Sequence, residues 1–151
     1  MDQVCFDPQL AYSRPELANY MGRPGAFTLV AESTRGKAEE VPATIVGFIV
    51  AEARRKTGHI ITIDVLPETR RSGIGSSLLL MAEDRLRTAG AVVVELETAV
   101  DNVAAIQFYK RKDYYVEKTI PGYYSNHLDA LVMRKDLLAS VKLASGEKAK
   151  S

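Results

Sequence analysis

The chain has 151 residues, of which 46% are hydrophobic and 26% are charged, the balance of one globular domain with its own core. A net charge of +1 argues neither for nor against a polyanionic partner. The two short basic runs, 54–56 and 110–112, are more often solvated faces than binding patches, so we expect no nucleic-acid partner. The single cysteine, Cys5, excludes an intrachain disulfide, and it is typical of a reducing cytoplasm. With two separated histidines it forms no metal-ligand spacing, so we expect no metal. No apolar run approaches the ~20 residues of a membrane helix, and we expect no membrane partner.

Apolar patterning predicts a short helix and then three strands in the first half of the chain. The helix is predicted over residues 15–21. Residues 27–32 alternate at a period of two, and residues 44–53 are β-branched and apolar. The third strand, 59–66, ends before Pro67. Short turns join the three strands, which is typical of an antiparallel meander.

Helices and strands alternate in the second half. The strongest helix, 73–89, stops at Gly90, and Glu83 and Arg87 are predicted on its outer side. A strand, a second helix capped by Asn102 and two closing strands follow, at 91–98, 103–112, 114–118 and 128–134. The predicted buried face of the first of these helices consists of Ile74, Leu78, Met81, Ala82 and Leu86.

This order of elements predicts an α+β domain with one mixed, mostly antiparallel sheet and helices packed on its faces. Since a helix joins the third and fourth strands, those two can lie parallel. Residues 1–138 are expected to form a single domain. The small, polar and lysine-rich residues 139–151 are expected to be a flexible tail.

The predicted site is organised around residues 65–80, which read V-L-P-E-T-R-R-S-G-I-G-S-S-L-L-L. Gly73 and Gly75 let backbone N–H groups turn inward without crowding by Cβ, and the helix start adds unpaired N–H groups and the positive end of its dipole. With Arg70 and Arg71, this predicts a phosphate or pyrophosphate site. A tight loop with solvated arginines is the alternative. The pattern R-x-x-G-x-G resembles the acetyl-CoA loop of the GNAT N-acetyltransferase superfamily.

That resemblance, which covers about residues 5–137, implies a GNAT-like three-layer fold whose usual first strand this chain is expected to lack. It implies acetyl-CoA as co-substrate and a pantetheine arm that pairs with the backbone of the third strand. It implies no covalent enzyme intermediate. The cofactor-binding residues it implies near the loop are Ile63, Asp64, Val65, Arg70, Arg71, Ser72, Gly73, Ile74, Gly75 and Ser76.

A second segment carries candidate acid and base groups. By strand alternation, Glu95 and Glu97 are predicted to point to the same face. Taken singly, Glu97 could be a solvated glutamate, Tyr109 a half-buried helix aromatic and Asn102 a helix N-cap. Together, L-E-T-A-V-D-N-V-A-A-I-Q-F-Y resembles a segment of the family's N-terminal acetyltransferase branch, which includes the ribosomal-protein-alanine acetyltransferases. That resemblance implies Glu97 as a general base acting through water, Tyr109 as the general acid for the CoA thiolate, and Asn102 and Tyr109 as cofactor contacts.

The loop P-G-Y-Y-S-N-H resembles the family's N-Y-Y loop, so Tyr123 and Tyr124 are implied to wall the groove for the substrate's first residues. Cover of a sheet edge is the alternative. The hypothesis is an acetyl-CoA-dependent N-acetyltransferase for the α-amine of a protein or peptide, cytoplasmic, and a monomer or homodimer. Two alternatives stay open: a small-amine acetyltransferase, and a CoA-binding module without turnover.

Overall fold

A computed structural model of the chain describes residues 24–33, 44–67, 70 and 72–138. The strands of this part form one mixed sheet in the order β1-β2-β3-β4-β6-β5, which confirms the predicted α+β fold. The predicted helix over 15–21, the absent first strand and the tail over 139–151 lie outside the described residues. The elements are β1 (Ala26–Ser33), β2 (Thr44–Arg54), β3 (Thr57–Val65), α1 (Ile74–Thr88), β4 (Val93–Ala99), α2 (Val103–Arg111), β5 (Tyr115–Ile120) and β6 (Ala130–Asp136).

The chain divides into two compact units, and the first comprises residues up to Glu52 together with Ile60–Arg85. In it, β1 and β2 pair antiparallel, with a register shift after Ala31. β2 is buried from Val46 to Glu52, which is typical of a central strand with apolar and β-branched side chains on both faces. A buried cluster of Phe48, Val50 and Ile61, with Leu66 packed against it, forms part of the core of this unit.

The second unit comprises Ala53–His59 and the chain from Leu86 onward. In it, the first three residues of β3 pair parallel with the first three of β4, as expected for strands joined by a helical crossover. β4 then pairs antiparallel with β6 along its full length, and β6 pairs antiparallel with β5. Burial alternates along the first six residues of β4, which gives the strand one covered and one half-exposed face.

The buried face of α1 differs from the predicted one. Met81, predicted to be inside, is 56% exposed, and Glu83, predicted to be outside, is 3% exposed. The prediction failed because the run L-L-L-M supports more than one apolar stripe, and the stripe that is used runs i, i+3, i+4, i+7 from Leu79. Its buried members are Leu79, Ala82, Glu83 and Leu86, with Leu78 beside them.

Both helices end within one residue of the predicted position. Gly90 follows α1 with a φ of 105°. After α2 the left-handed position is occupied by Asp113, with a φ of 74°, a residue that tolerates this conformation better than most. The N–H of Asp113 donates to Lys110 O at 3.1 Å and the N–H of Tyr114 donates to Tyr109 O at 3.0 Å. This is the Schellman pattern, and it ties Tyr114 to the turn that carries Tyr109.

Replacing Gly58 with alanine is expected to lower the free energy of unfolding by about 1–3 kcal/mol. An added Cβ would lie 2.7 Å from Cδ1 and 3.1 Å from Cγ of Leu86. Leu86 is fully buried, so it cannot swing away without displacing its neighbours. Denaturant unfolding of the two proteins measures the loss. In a Leu86→Ala background the same change should cost less, and an equal cost in both backgrounds would contradict the steric explanation.

Candidate functional site

The loop between β3 and α1, in the first unit, is braced by Arg70. Its Nε donates to the backbone oxygen of Val65 at 3.0 Å, and its Nη2 lies 3.8 Å from Oδ1 of Asp64. The Arg70 side chain is 57% exposed, whereas that of Asp64 is 13% exposed. Arg70 therefore fastens the loop to the end of β3 and still presents part of its guanidinium to solvent.

Gly73 sets the geometry at the start of α1. Its φ is 90°, a conformation that side chains rarely adopt, while an added Cβ would meet no atom within 4 Å. Conformation rather than space therefore requires glycine here. The first helical bond runs from Ser77 N to Gly73 O at 3.0 Å, so the three N–H groups between them have no acceptor within the helix. The first turn carries no acidic side chain, and these N–H groups suit an anion.

The other cofactor residues predicted from the loop segment belong to the end of β3 and the start of α1, except Arg71, which lies outside the described residues; Asn102 and Tyr109 belong to the second unit. β2 passes close to the end of β3, since a Cβ on Gly47 would lie 3.0 Å from Asp64 O, and a glycine in a strand permits such a close approach. Ser72 is exposed, and the half-buried residues are Ile63, Asp64 and Val65 at the end of β3 and Ile74, Gly75 and Ser76 in the first turn of α1.

In the second unit, the side chain of Glu97 is hydrogen-bonded to that of His59. The sequence patterns did not predict this contact. Oε1 of Glu97 and Nε2 of His59 are 2.8 Å apart, and the two side chains are 18% and 29% exposed. His59 lies opposite Glu95 in the parallel register, so its imidazole reaches one pleat along β4 to meet Glu97. A half-buried carboxylate and imidazole in contact can accept a proton and share it.

Glu95 and Glu97 alternate with buried residues of β4, as predicted, but they have different partners. Oε2 of Glu95 accepts a hydrogen bond from Nη1 of Arg134 at 3.0 Å. Glu97 is therefore the carboxylate of this pair that meets an imidazole, whereas the charge of Glu95 is balanced by a guanidinium.

Tyr109 is almost fully buried, at 6% exposure. Its ring makes edge contacts with those of Phe108 and Tyr114, at centroid distances of 5.2 and 5.6 Å. Burial, and then the neighbouring Tyr124 hydroxyl, raises the pKa of Tyr109 well above its usual range. Its hydroxyl therefore keeps its proton at any pH at which the protein works, as a proton donor must.

Tyr124 lies close enough to Glu97 to feel its charge. Burial, then Tyr123, then Glu97, raises the pKa of Tyr124 to about 12. The rings of Tyr123 and Tyr124 pack edge to face at 4.9 Å. The turn is closed by a bond from His127 N to Tyr124 O at 2.7 Å, and His127 has a φ of 69°. This part of the chain thus groups Glu97, Tyr109 and Tyr124.

Asn102 caps α2: its Oδ1 accepts from the N–H of Ala105 at 3.2 Å. This is the structural role that its sequence position predicts. The cap leaves the side-chain amide nitrogen as the donor with which Asn102 could meet a cofactor.

Two kinds of site are absent from the part of the chain that the structure describes. No three His, Cys, Asp or Glu side chains are grouped so that they could hold a metal ion. No helix in these ranges has the length and apolarity needed to cross a membrane.

Comparison with known proteins gives related sequences and a related fold. N-alpha-acetyltransferase 20 of Dictyostelium discoideum is 30% identical over 139 residues, covering 89% of this chain and 76% of that protein. An uncharacterized N-acetyltransferase of Methanocaldococcus jannaschii is 37% identical over 97 residues, or 64% of this chain, and the chain spans 62% of the length of that relative. The crystal structure of Chaetomium thermophilum Naa20 with a bisubstrate analogue superposes with a TM-score of 0.74 at 29% identity, covering 90% of this chain and 80% of that one.

The sequence profile of the acetyltransferase (GNAT) family matches residues 2–114, which is most of the chain. The match includes the braced loop with Arg70 and Gly73, and the strand that carries Glu97. The family inferred from the R-x-x-G-x-G loop is therefore confirmed: the chain belongs to the GNAT family of acetyltransferases.

Proposed function

We propose that the chain transfers the acetyl group of acetyl-CoA to the N-terminal α-amine of a protein or peptide. The observation that carries the proposal is the half-buried Glu97–His59 contact in the same unit as the buried Tyr109 hydroxyl. Together these supply a proton acceptor and a proton donor in a chain of the GNAT family. Several relatives carry the name N-alpha-acetyltransferase, which supports an α-amine as acceptor.

The first turn of α1 suits the pyrophosphate of CoA. Three backbone N–H groups lack helical acceptors there, Gly73 provides the required φ, and the exposed part of the Arg70 guanidinium adds positive charge. The end of β3, from Ile63 to Val65, would pair with the pantetheine arm through its backbone. Asn102 would add a side-chain amide. These residues form the cofactor part of the proposal.

Proton transfer begins with the substrate, because an α-amine is largely protonated near neutrality and cannot attack as an ammonium. Glu97, through a water and with His59 sharing the proton, removes one proton from the nitrogen. The free amine then attacks the thioester carbonyl carbon, and a C–N bond forms. The oxyanion that then forms needs a hydrogen-bond donor, and we assign this role to a backbone N–H near Val65.

Tyr109 completes the reaction. As the C–S bond breaks, its hydroxyl gives a proton to the departing thiolate, and the second proton lost by the nitrogen restores the hydroxyl. The products are the acetylated amine, CoA thiol and the one proton held by Glu97, which water removes. No covalent intermediate with the enzyme is required.

Tyr123 and Tyr124 support a peptide as the substrate. Tyr123 is 43% exposed beside the half-buried Tyr124, so this loop presents aromatic surface next to Glu97. We expect the first residues of the substrate to lie along it. We further propose that the protein is a monomer or homodimer that acts in the cytoplasm on protein N-termini. We expect neither a nucleic-acid nor a membrane partner.

The test is mass spectrometry after incubation with acetyl-CoA and a mixed panel of free-N-terminus peptides with internal lysines, plus small amines. Acetyl groups on the α-amines of a sequence-related subset would support the proposal. Products on lysines or small amines alone would overturn the α-amine assignment. Binding of acetyl-CoA with no product from any acceptor would favour a CoA-binding module.

Replacing Arg70 with glutamine is expected to weaken CoA binding about tenfold, with a smaller change in kcat. The change removes a charge-assisted contact worth roughly 1.5 kcal/mol and loosens the brace on Val65. Isothermal titration calorimetry with CoA and with pantetheine, which carries no phosphate, separates the loss of the phosphate contact from the loss of the brace. Weakening confined to CoA would support contact with phosphate, whereas equal weakening of both ligands would identify Arg70 as only a brace.

A further inference from the structure

Arg134 holds two glutamates with a single nitrogen. Its Nη1 lies 3.0 Å from Oε2 of Glu95 and 3.1 Å from Oε2 of Glu117. The three side chains are each about one-third exposed, so solvent screens this contact only partly.

The sheet brings these three groups together across three strands. β6 lies between β4 and β5, and Arg134 is directly opposite Glu95 in the antiparallel register. Glu117 occupies the register shift of β5, between Val116 and Lys118. A bulge of this kind turns the extra residue's side chain out of the regular alternation, which here directs Glu117 to the side of the sheet that carries Arg134.

The same face carries the proposed base. Glu97 follows Glu95 by two residues in β4, so the carboxylates lie roughly 7 Å apart along the strand. His59, bonded to Glu97, is the register partner of Glu95. The charges of Glu95, Glu117 and Arg134 therefore act on the His59–Glu97 pair, and Arg134 is the cation that offsets the two extra carboxylates.

We propose that Arg134 is a positioning residue for the His59–Glu97 pair: by binding Glu95 and Glu117 it fixes the position of their carboxylates and offsets part of their negative charge beside the pair. The inference rests on the proposed function of Glu97. It adds a residue that touches neither substrate nor cofactor and is far from Glu97 in sequence.

The direction of the effect follows from the groups that face the pair. Those that the contacts connect with it are Glu95 of β4, Arg134 of β6 and Glu117 of β5, and also Tyr124, which lies within reach of the Glu97 charge, and Tyr109, which lies within reach of Tyr124. Only Arg134 among them is a cation. Without it, two uncompensated carboxylates favour protonation of both His59 and Glu97, so the pair loses its proton-accepting form at a higher pH, whichever member holds the proton.

The experiment is the pH profile of kcat/KM for Arg134→Gln. We expect the acid limb of the profile to move up by about half to one pH unit, the order of shift that a partly screened charge gives near a protein surface. Arg134→Lys should keep the wild-type profile, because one cationic nitrogen makes both contacts. The double variant E95Q/R134Q should return the limb most of the way towards wild type.

A second readout does not depend on activity. The chain has two histidines, so the His59 resonances can be assigned by comparison with His127→Gln and followed by NMR titration. The His59 midpoint should rise in R134Q and fall back in E95Q/R134Q. This holds even if the acceptor substrate differs from the proposed one, and so separates failure of this inference from failure of the proposed function.

Two results would overturn the inference. One is an R134Q protein with a lowered melting temperature but an unmoved acid limb and His59 midpoint, which would make Arg134 only a structural tie. The other is a shift that E95Q/R134Q does not reverse, because the effect would then not act through Glu95.

Discussion

Glutamine at position 97 is expected to lower kcat by about two to three orders of magnitude while leaving acetyl-CoA affinity close to wild type. The amide keeps the shape of the side chain and can still bond to His59 at 2.8 Å, but it cannot take a proton from the substrate. The loss should therefore appear in turnover rather than in folding or cofactor binding. Steady-state kinetics and calorimetric titration with CoA measure the two quantities separately.

Glu95→Gln is the matched control for Glu97→Gln. It removes the same charge from the same face of β4, but from a carboxylate bonded to Arg134 rather than to His59. We expect kcat to stay within a small factor of wild type. If Glu97→Gln left kcat intact, Glu97 would not be the base and the chain would be better described as a CoA-binding module.

Phenylalanine at position 109 is expected to lower kcat by about a hundredfold. It preserves the ring contacts with Phe108 and Tyr114 while removing the hydroxyl that protonates the thiolate. Because burial raises the pKa of Tyr109 above its usual range, the wild-type hydroxyl stays protonated, so the alkaline side of the wild-type profile should show no limb from this group.

Changing the leaving group of the acetyl donor tests the acid role of Tyr109 directly. An acetyl thioester with a more acidic thiol needs less help in leaving, so it should narrow the gap between Tyr109→Phe and wild type. An unchanged gap would contradict the role of general acid. Tyr114→Phe, which removes a hydroxyl from the adjacent ring, is the control for loss of a buried phenol.

Tyr109→Phe should also change how the stability of the protein depends on pH. The pKa of Tyr109 is raised in the folded state above its ordinary value of 10.0, so its contribution to stability is complete below pH 10 and is lost as the pH rises further. Stability of the phenylalanine variant should therefore fall less steeply in alkaline solution. This can be measured by thermal unfolding between neutral and alkaline pH without any substrate.

The elements of this fold were predictable because their signals are local. Alternation identified the strands, and the residues that adopt left-handed conformations, Gly90 and Asp113, ended the helices where predicted. The face of α1 was not predictable in the same way. A run of consecutive apolar residues allows two stripes, and only packing decided that Leu79 rather than Met81 is buried.

The candidate site also has parts that local sequence signals predict and parts that only packing decides. The sequence by itself determined the Arg70–Gly73 loop and the common face of Glu95 and Glu97, because turn chemistry and strand alternation operate over a few residues. Only the tertiary structure brought His59 to Glu97 across 38 positions and Arg134 to Glu95 across 39. Those contacts depend on the register of β3 and β6 against β4, and register is set by the packing of whole strands rather than by any local pattern.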